Sequence, residues 1–239
     1  MSRRFFVDSP ITGETATLTG QEAQHLSKVM RAQIGDELLL FDGGGAEFTA
    51  IVQKLGRSEV ELSIVERHDV DRELSFRLVI GVALPKGDRQ RWLVEKLVEL
   101  GVTELVPLVT ARSVAQPSGN ALDRLRRAVV EASKQCGRNR LMSIGEAKSL
   151  DALLSETSKD ATRLIAHPPC LGENASPWPT HAHNVIVAIG PEGGFTDEEM
   201  ALSVERGWGK TSLGSRILRT ETAAVAIASL IAMQRDANS

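Results

Sequence analysis

The sequence predicts an α/β protein with a parallel sheet, preceded by a small domain built mostly of strands. Three observations lead to that class. Short strand-like runs fill residues 1–70, strands and helices alternate from Phe76 onward, and a charged stretch, His68 to Glu73, lies between them. The expected domains are residues 1–72 and 73–239.

Arg4 to Val7 reads as a short strand. Thr19 and Glu22 stand at capping-box spacing, so a helix is expected through Ala23 to Met30. Glu37 to Phe41, Ala46 to Val52 and Glu59 to Val65 are rich in aliphatic and β-branched residues and read as strands. Asp42-Gly43-Gly44-Gly45 is a turn between the first two. Short strands at this spacing suit a small barrel. Arg77 to Ala83 is almost continuously apolar, as expected of a strand buried on both faces. Asp88 to Leu100 carries Trp92, Leu93, Leu97 and Leu100 at helical spacing, and Gly101 follows as a stop. Glu104 to Thr110 is the next strand, and Ala121 to Cys136 the next helix, with Ser118 or Asn120 near its start. Arg163 to Ala166, Asn184 to Ile189 and Lys210 to Leu213 are further strands. Thr196 to Arg206 is a helix with a second capping box, Thr196 and Glu199, and Thr220 to Gln234 is the last helix. Gly172 to Thr180 is the one long loop rich in breakers.

Composition narrows the classes. No apolar run approaches the ~18 residues of a membrane span, and the N-terminus lacks the apolar core of a signal peptide, so a cytoplasmic protein is expected. Cys136 and Cys170 form neither a disulfide framework nor metal-ligand spacing, and no metal is expected. Net charge is −3, which gives no bulk attraction for nucleic acid. Between Ala111 and Arg140, however, seven basic residues face two acidic ones. That patch suits a phosphate backbone, although a solvated helix face produces the same pattern.

Two glycine-bearing stretches carry the chemistry. Ile189-Gly-Pro-Glu-Gly-Gly194 and Leu213-Gly-Ser-Arg-Ile-Leu-Arg-Thr220 each lie between a predicted strand and a predicted helix. Open α/β sheets bind ligands at such loops. Glycine lets a ligand approach the backbone closely, and the helix start at Thr196 adds positive potential. Leu213, Ile217 and Leu218 offer an apolar slot for a flat ring. Thr220 or Thr222 is placed to cap the last helix, with Glu221 in its first turn. Neither stretch has the usual dinucleotide or P-loop spacing. Tight structural turns, or an anion site, would also use such glycines.

These two loops resemble those of the SPOUT-class methyltransferases, and their wording is similar to the RsmE family of 16S ribosomal RNA uridine-N3 methyltransferases. Ala83 to Asp88, Glu95 to Gly101 and Glu131 to Arg140 are similar to segments of that family in the same order, as are His25 to Arg31, Gly35-Asp36 and Asp42-Gly-Gly. Leu141-Met142 departs from it, since a proline is expected there. The resemblance implies a SPOUT-type parallel sheet with a C-terminal trefoil knot, a PUA-like N-terminal β-barrel that binds RNA, and a homodimer. It implies S-adenosylmethionine as cofactor, held by Ile189, Gly190, Pro191, Glu192, Gly193, Gly194, Leu213, Gly214, Ile217, Leu218 and Thr220. The substrate would be a uridine of 16S RNA, free or in the small ribosomal subunit. Arg219 is then a candidate to stabilise the uracil anion, and Glu192 and Glu221 are candidates for the base. Candidate RNA contacts are Arg3, Arg4, His25, Lys28, Arg31, Lys86, Arg112, Arg138 and Arg140. His25, Lys28 and Arg31 matter most in the first domain, because residues 1–70 hold seven basic and eleven acidic residues and need local clustering.

Three other readings compete. A knotted enzyme of a sister family would methylate a ribose 2′-hydroxyl. A non-catalytic RNA-binding module would have no affinity for S-adenosylmethionine. A phosphate-binding α/β enzyme would use Gly190 to Gly194 as an anion loop, but no lysine–serine/threonine pair stands beside it.

Overall fold

The computed structural model describes residues 4–114, 119–158, 160–168 and 182–236. Arg3, Ser118, Cys170 and the loop from Gly172 to Thr180 lie outside them. The chain divides into two compact units. One comprises residues 1–73 and 130–141, the other 74–129 and 142–239.

The N-terminal unit is a five-stranded sheet in the order β1-β3-β4-β5-β2. Its strands are β1 (Arg4–Phe6), β2 (Thr15–Thr19), β3 (Glu37–Phe41), β4 (Glu47–Leu55) and β5 (Glu59–His68). β1 runs parallel to β3, and the other pairs are antiparallel. Two register shifts in β4, at Thr49/Ala50 and Val52/Lys54, bend the sheet about one core of Phe5, Leu18, Leu26, Leu40, Val60 and Leu62. β2 follows strict alternation, with Ala16 and Leu18 inside and the threonines outside.

The expected helix after Thr19 differs in form. It begins earlier, as α1 (Gly20–Gln24), and continues as a π-helical turn, His25–Val29. The expected capping box is not made: Thr19 accepts no side-chain cap bond. Glu22 turns instead to Lys134, 2.7 Å away, because a buried ammonium needs an anion more than a helix start needs a second acceptor.

Charge is buried throughout this unit. Arg4 donates to Glu47 at 2.7 Å and to the carbonyl of Arg138 at 3.1 Å, bonds the Asn139 side chain, and lies over the Phe41 ring. Arg72 donates to the same Glu47 carboxylate at 2.9 Å. Burial alone would raise the Glu47 carboxyl, but hydrogen bonds from Arg72 and Arg4 outweigh it and hold the group at about 2. Arg138 is likewise buried and pairs with Glu73. Leu141, which stands where a proline was expected, packs over Gly43, where it leaves 3.3 Å for a Cβ.

The C-terminal unit alternates strand and helix as expected. It contains β6 (Arg77–Val82), α2 (Arg89–Glu99), β7 (Glu104–Val109) and α3 (Gly119–Cys136), whose last residues belong to the N-terminal unit. Two short strands, β8 (Ser143–Ile144) and β9 (Lys148–Ser149), and a helix, α4 (Leu150–Glu156), follow. Then come β10 (Thr162–Ala166), β11 (Asn184–Ile189), α5 (Asp197–Glu205), β12 (Gly209–Thr211) and α6 (Thr220–Asp236). The sheet runs β12-β10-β11-β6-β7-β8, with β9 also on β7, and every pair is parallel.

β6 and β11 sit at its centre and are buried along nearly their whole length, which explains their unbroken apolar sequence. Gly81 leaves room for Leu153 there, since a Cβ would stand 2.8 Å from one of its methyls and force it to shift. α2 buries Leu93, Val94, Leu97 and Val98, and Gly101 ends it at φ 79°. The Thr196–Glu199 capping box at the start of α5 is fully formed.

Candidate ligand site at the carboxyl ends of the strands

β10, β11 and β12 are neighbours, so the loops leaving their carboxyl ends converge. They enclose a cavity of about 350 Å³, closed on one side by the first turn of α6. Ala166 to Pro168 come from β10, Ile189 to Phe195 from β11, and Thr211 to Gly214 and Arg216 to Leu218 from β12. All the residues expected to hold the cofactor (Ile189 to Gly194, Leu213, Gly214, Ile217, Leu218 and Thr220) line this one space.

Local chemistry fixes the loop after β11. The Gly194 N–H donates to the Pro191 carbonyl at 2.8 Å, closing a turn, and Gly194, its last residue, continues at φ 70°, a conformation that favours glycine. Gly190 packs under Phe195, leaving 3.2 Å for a Cβ. Arg112 donates to the Gly193 carbonyl at 2.8 Å and so braces the loop from β7. The Thr220 hydroxyl donates to the Gly190 carbonyl at 3.2 Å and joins the two glycine loops. α6 begins at Thr220, so neither Thr220 nor Thr222 precedes it as a cap; the Thr220 hydroxyl serves the tie instead.

The three residues expected to do chemistry separate. Glu192 lines the cavity. Glu221 lies in the first turn of α6, buried, outside the lining. Arg219 is exposed at the end of the loop and also outside the lining. One residue that the sequence did not single out joins the two carboxylates: Arg89, at the start of α2, lies 3.1 Å from Glu192 and 3.4 Å from Glu221.

The walls suit a ligand with a flat apolar part and polar edges. Ile217 lines the cavity yet is 83% exposed, an apolar side chain left for something to cover. The Thr211 hydroxyl is buried in the lining and has no hydrogen-bond partner among the described residues. Such a group calls for a ligand atom or a water. Glu192 and Asp197 place acidic groups at the edge, suited to a cationic ligand. Among the described residues, no group of three His, Cys, Asp or Glu side chains is placed to hold a metal ion.

The expected RNA contacts also sort themselves. His25, Lys28, Arg31, Lys86, Arg112 and Arg140 are exposed. Arg4 and Arg138 are corrections. Both are buried and committed to Glu47 and Glu73, and a guanidinium that neutralises an internal carboxylate is not available to phosphate. Arg31 adopts φ 52°, the one non-glycine left-handed residue among those described.

A family model described as an RNA methyltransferase domain matches residues 72–232, and one described as an RNA methyltransferase PUA domain matches residues 18–65. The chain is 33% identical over 225 residues to ribosomal RNA small subunit methyltransferase E of Synechocystis, covering 92% of this chain and 73% of that one. It is 29% identical over 234 residues to the Bacillus subtilis protein of the same name, covering 93% and 91%. Among solved structures, ribosomal RNA small subunit methyltransferase E of Neisseria gonorrhoeae bound to S-adenosyl methionine superposes with a TM-score of 0.88 at 28% identity, over 98% of both chains. A Legionella pneumophila protein in complex with the cofactor SAM gives 0.88 at 30% identity, over 97% of both. By length of match and by structure, the chain belongs to the ribosomal RNA small subunit methyltransferase E family.

Proposed function

We propose that this protein transfers a methyl group from S-adenosylmethionine to N3 of one uridine in the 16S RNA of the small ribosomal subunit. The observation that carries this reading is the single cavity formed by the two glycine loops, with an orphan hydroxyl, an uncovered isoleucine and an acidic edge. These residues fit the cofactor. Leu213, Ile217 and Leu218 would hold its flat apolar ring, backbone groups of Gly190 to Gly194 would take polar edges, and the carboxylates of Glu192 and Asp197 would suit its positive charge. When bound, the cofactor supplies an electrophilic methyl on a sulfonium.

The protein's task is then positioning and proton removal. Glu192, which lines the cavity, is the carboxylate we propose to take the N3 proton once bound substrate excludes water. Arg219, exposed and flanked in sequence by the lining residues Leu218 and Thr220, is the cation we propose for charge on the uracil oxygens. The N-terminal unit holds the RNA through His25, Lys28 and Arg31, with Lys86, Arg112 and Arg140 as further phosphate contacts. We further propose that the C-terminal segments form the trefoil knot of the family, and that two copies pair in the cytoplasm. The exposed Leu230 and Met233 on α6 support that pairing.

The test is nucleoside mass spectrometry of small subunits lacking the modification, incubated with protein and S-adenosylmethionine. 3-Methyluridine is expected. Methyl transfer to ribose would reassign the target, and no transfer together with no cofactor binding would overturn the proposal. An Arg219→Lys variant at full rate would remove Arg219 from it, because lysine lacks the planar fork.

A further inference from the structure

Glu192 lies on a loop and is 37% exposed, so nothing in its own segment fixes its carboxylate. Glu221 is its opposite: it sits on the first turn of a 17-residue helix and is 8% exposed. Arg89 stands between them. One guanidinium nitrogen is 3.1 Å from a Glu192 oxygen and 3.4 Å from each Glu221 oxygen. Arg89 opens α2, whose buried residues are Leu93, Val94, Leu97 and Val98, so its backbone is fixed by the core. Arg89's backbone and its Glu221 partner are thus held by buried helices, while Glu192, half-exposed like the Arg89 side chain, sits on a loop.

We infer that Arg89 is a positioning residue of the methyl-transfer site, acting through Glu192. Glu221 is the anchor, Arg89 the link, and Glu192 the group delivered to the cavity. Two charges of opposite sign within hydrogen-bonding reach restrict the carboxylate to a narrow arc, and small misplacement of a reacting group costs on the order of a hundredfold in rate. The arrangement also explains why Glu221 is buried, with an acidic group in the first turn of α6 but outside the lining. This inference rests on the proposed methyltransferase reading.

The test is a double-mutant cycle on the full-length protein, using R89M, E192Q and R89M/E192Q. Each is assayed for methyl transfer to undermethylated small subunits and for S-adenosylmethionine affinity by calorimetry. The expected result is a kcat lowered more than tenfold in R89M, with KM for the subunit within about threefold of the parent. R89K should recover most of the rate, because a single nitrogen makes all the contacts. In the E192Q background, R89M should add less than about threefold. Independent, multiplying effects would overturn the inference and point to Arg89 contacting RNA directly, as would a raised KM at unchanged kcat. A purely structural Arg89 would show a lowered melting midpoint and a normal kcat well below it. Should R89M fail to fold, R89Q and E192Q form the second cycle, judged by the same rule. A parent protein that binds cofactor but methylates nothing overturns the functional reading instead, and this inference with it.

Discussion

Glu47 anchors the buried charges of the N-terminal unit, and replacing it with glutamine gives a quantitative prediction. The carboxylate is 7% exposed and receives Arg4 at 2.7 Å and Arg72 at 2.9 Å. Its ordinary value of 4.5 falls to about 2 in the folded protein. At about 1.4 kcal/mol per pH unit, that gap corresponds to ~3 kcal/mol of stabilisation. The folded value lies below the unfolded one, so the stabilisation is complete above pH 4.5 and is lost as pH falls toward 2. Glu47→Gln should therefore destabilise the unit by ~3 kcal/mol at neutral pH, and by more if Arg4 stays buried without its anion.

The gap between parent and variant should narrow by ~2 kcal/mol between pH 4.5 and pH 3, where the parent carboxylate is losing its advantage. The described tryptophans, Trp92 and Trp208, belong to the C-terminal unit, so their fluorescence reports that unit rather than this one. Amide hydrogen exchange along β4 reads it directly. A variant within about 1 kcal/mol of the parent at pH 7, or a gap that does not change with pH, would refute the reasoning.

Two further outcomes test the C-terminal unit. Thr220→Val removes the hydroxyl that ties the two glycine loops; cofactor affinity measured by calorimetry should fall by up to about tenfold, consistent with losing a hydrogen bond of ~1 kcal/mol. Unchanged affinity would mean the tie does not shape the site. Gly81→Ala puts a methyl 2.8 Å from the buried Leu153 at the centre of the sheet, and should cost ~1–3 kcal/mol in urea melts followed by the fluorescence of Trp208, which shares that core.

Much of the fold was legible because burial leaves a period in the sequence. β6 and β11 read as unbroken apolar runs since helices cover both faces, and β3 and β11 begin and end where the sequence places them. β2 escaped notice although it alternates strictly, because Thr15, Thr17 and Thr19 suit turns and caps as well as strands. β8, β9 and α4 were missed for another reason: two-residue strands and a seven-residue helix are too short to show a period.

That the two glycine loops would meet was legible because strand-to-helix loops leave the same, carboxyl ends of the parallel strands, and they do line one cavity. Arg89 was not, since a helix-start arginine looks like any solvated charge until Glu192 and Glu221, more than a hundred residues away, are brought to it. Arg4 and Arg138 illustrate the converse. In sequence an arginine reads as surface charge, and only tertiary pairing with Glu47 and Glu73 turns it into a core residue.

The register of β11 against β6 aligns Asn184 with Arg77. The glycine loop that lines the cavity is the direct continuation of β11, so it acquires its shape only when that pairing closes over more than a hundred intervening residues. Closing so long a loop is entropically slow, and β10, made earlier, must leave room for β11 to enter between it and β6. During synthesis, the N-terminal strands and β6 leave the ribosome well before any site exists. Affinity for S-adenosylmethionine is thus a timer for the last stage of folding: in a pulse-chase of refolding, bound cofactor should lag behind secondary structure and mark the molecules in which β11 has paired with β6 and β10.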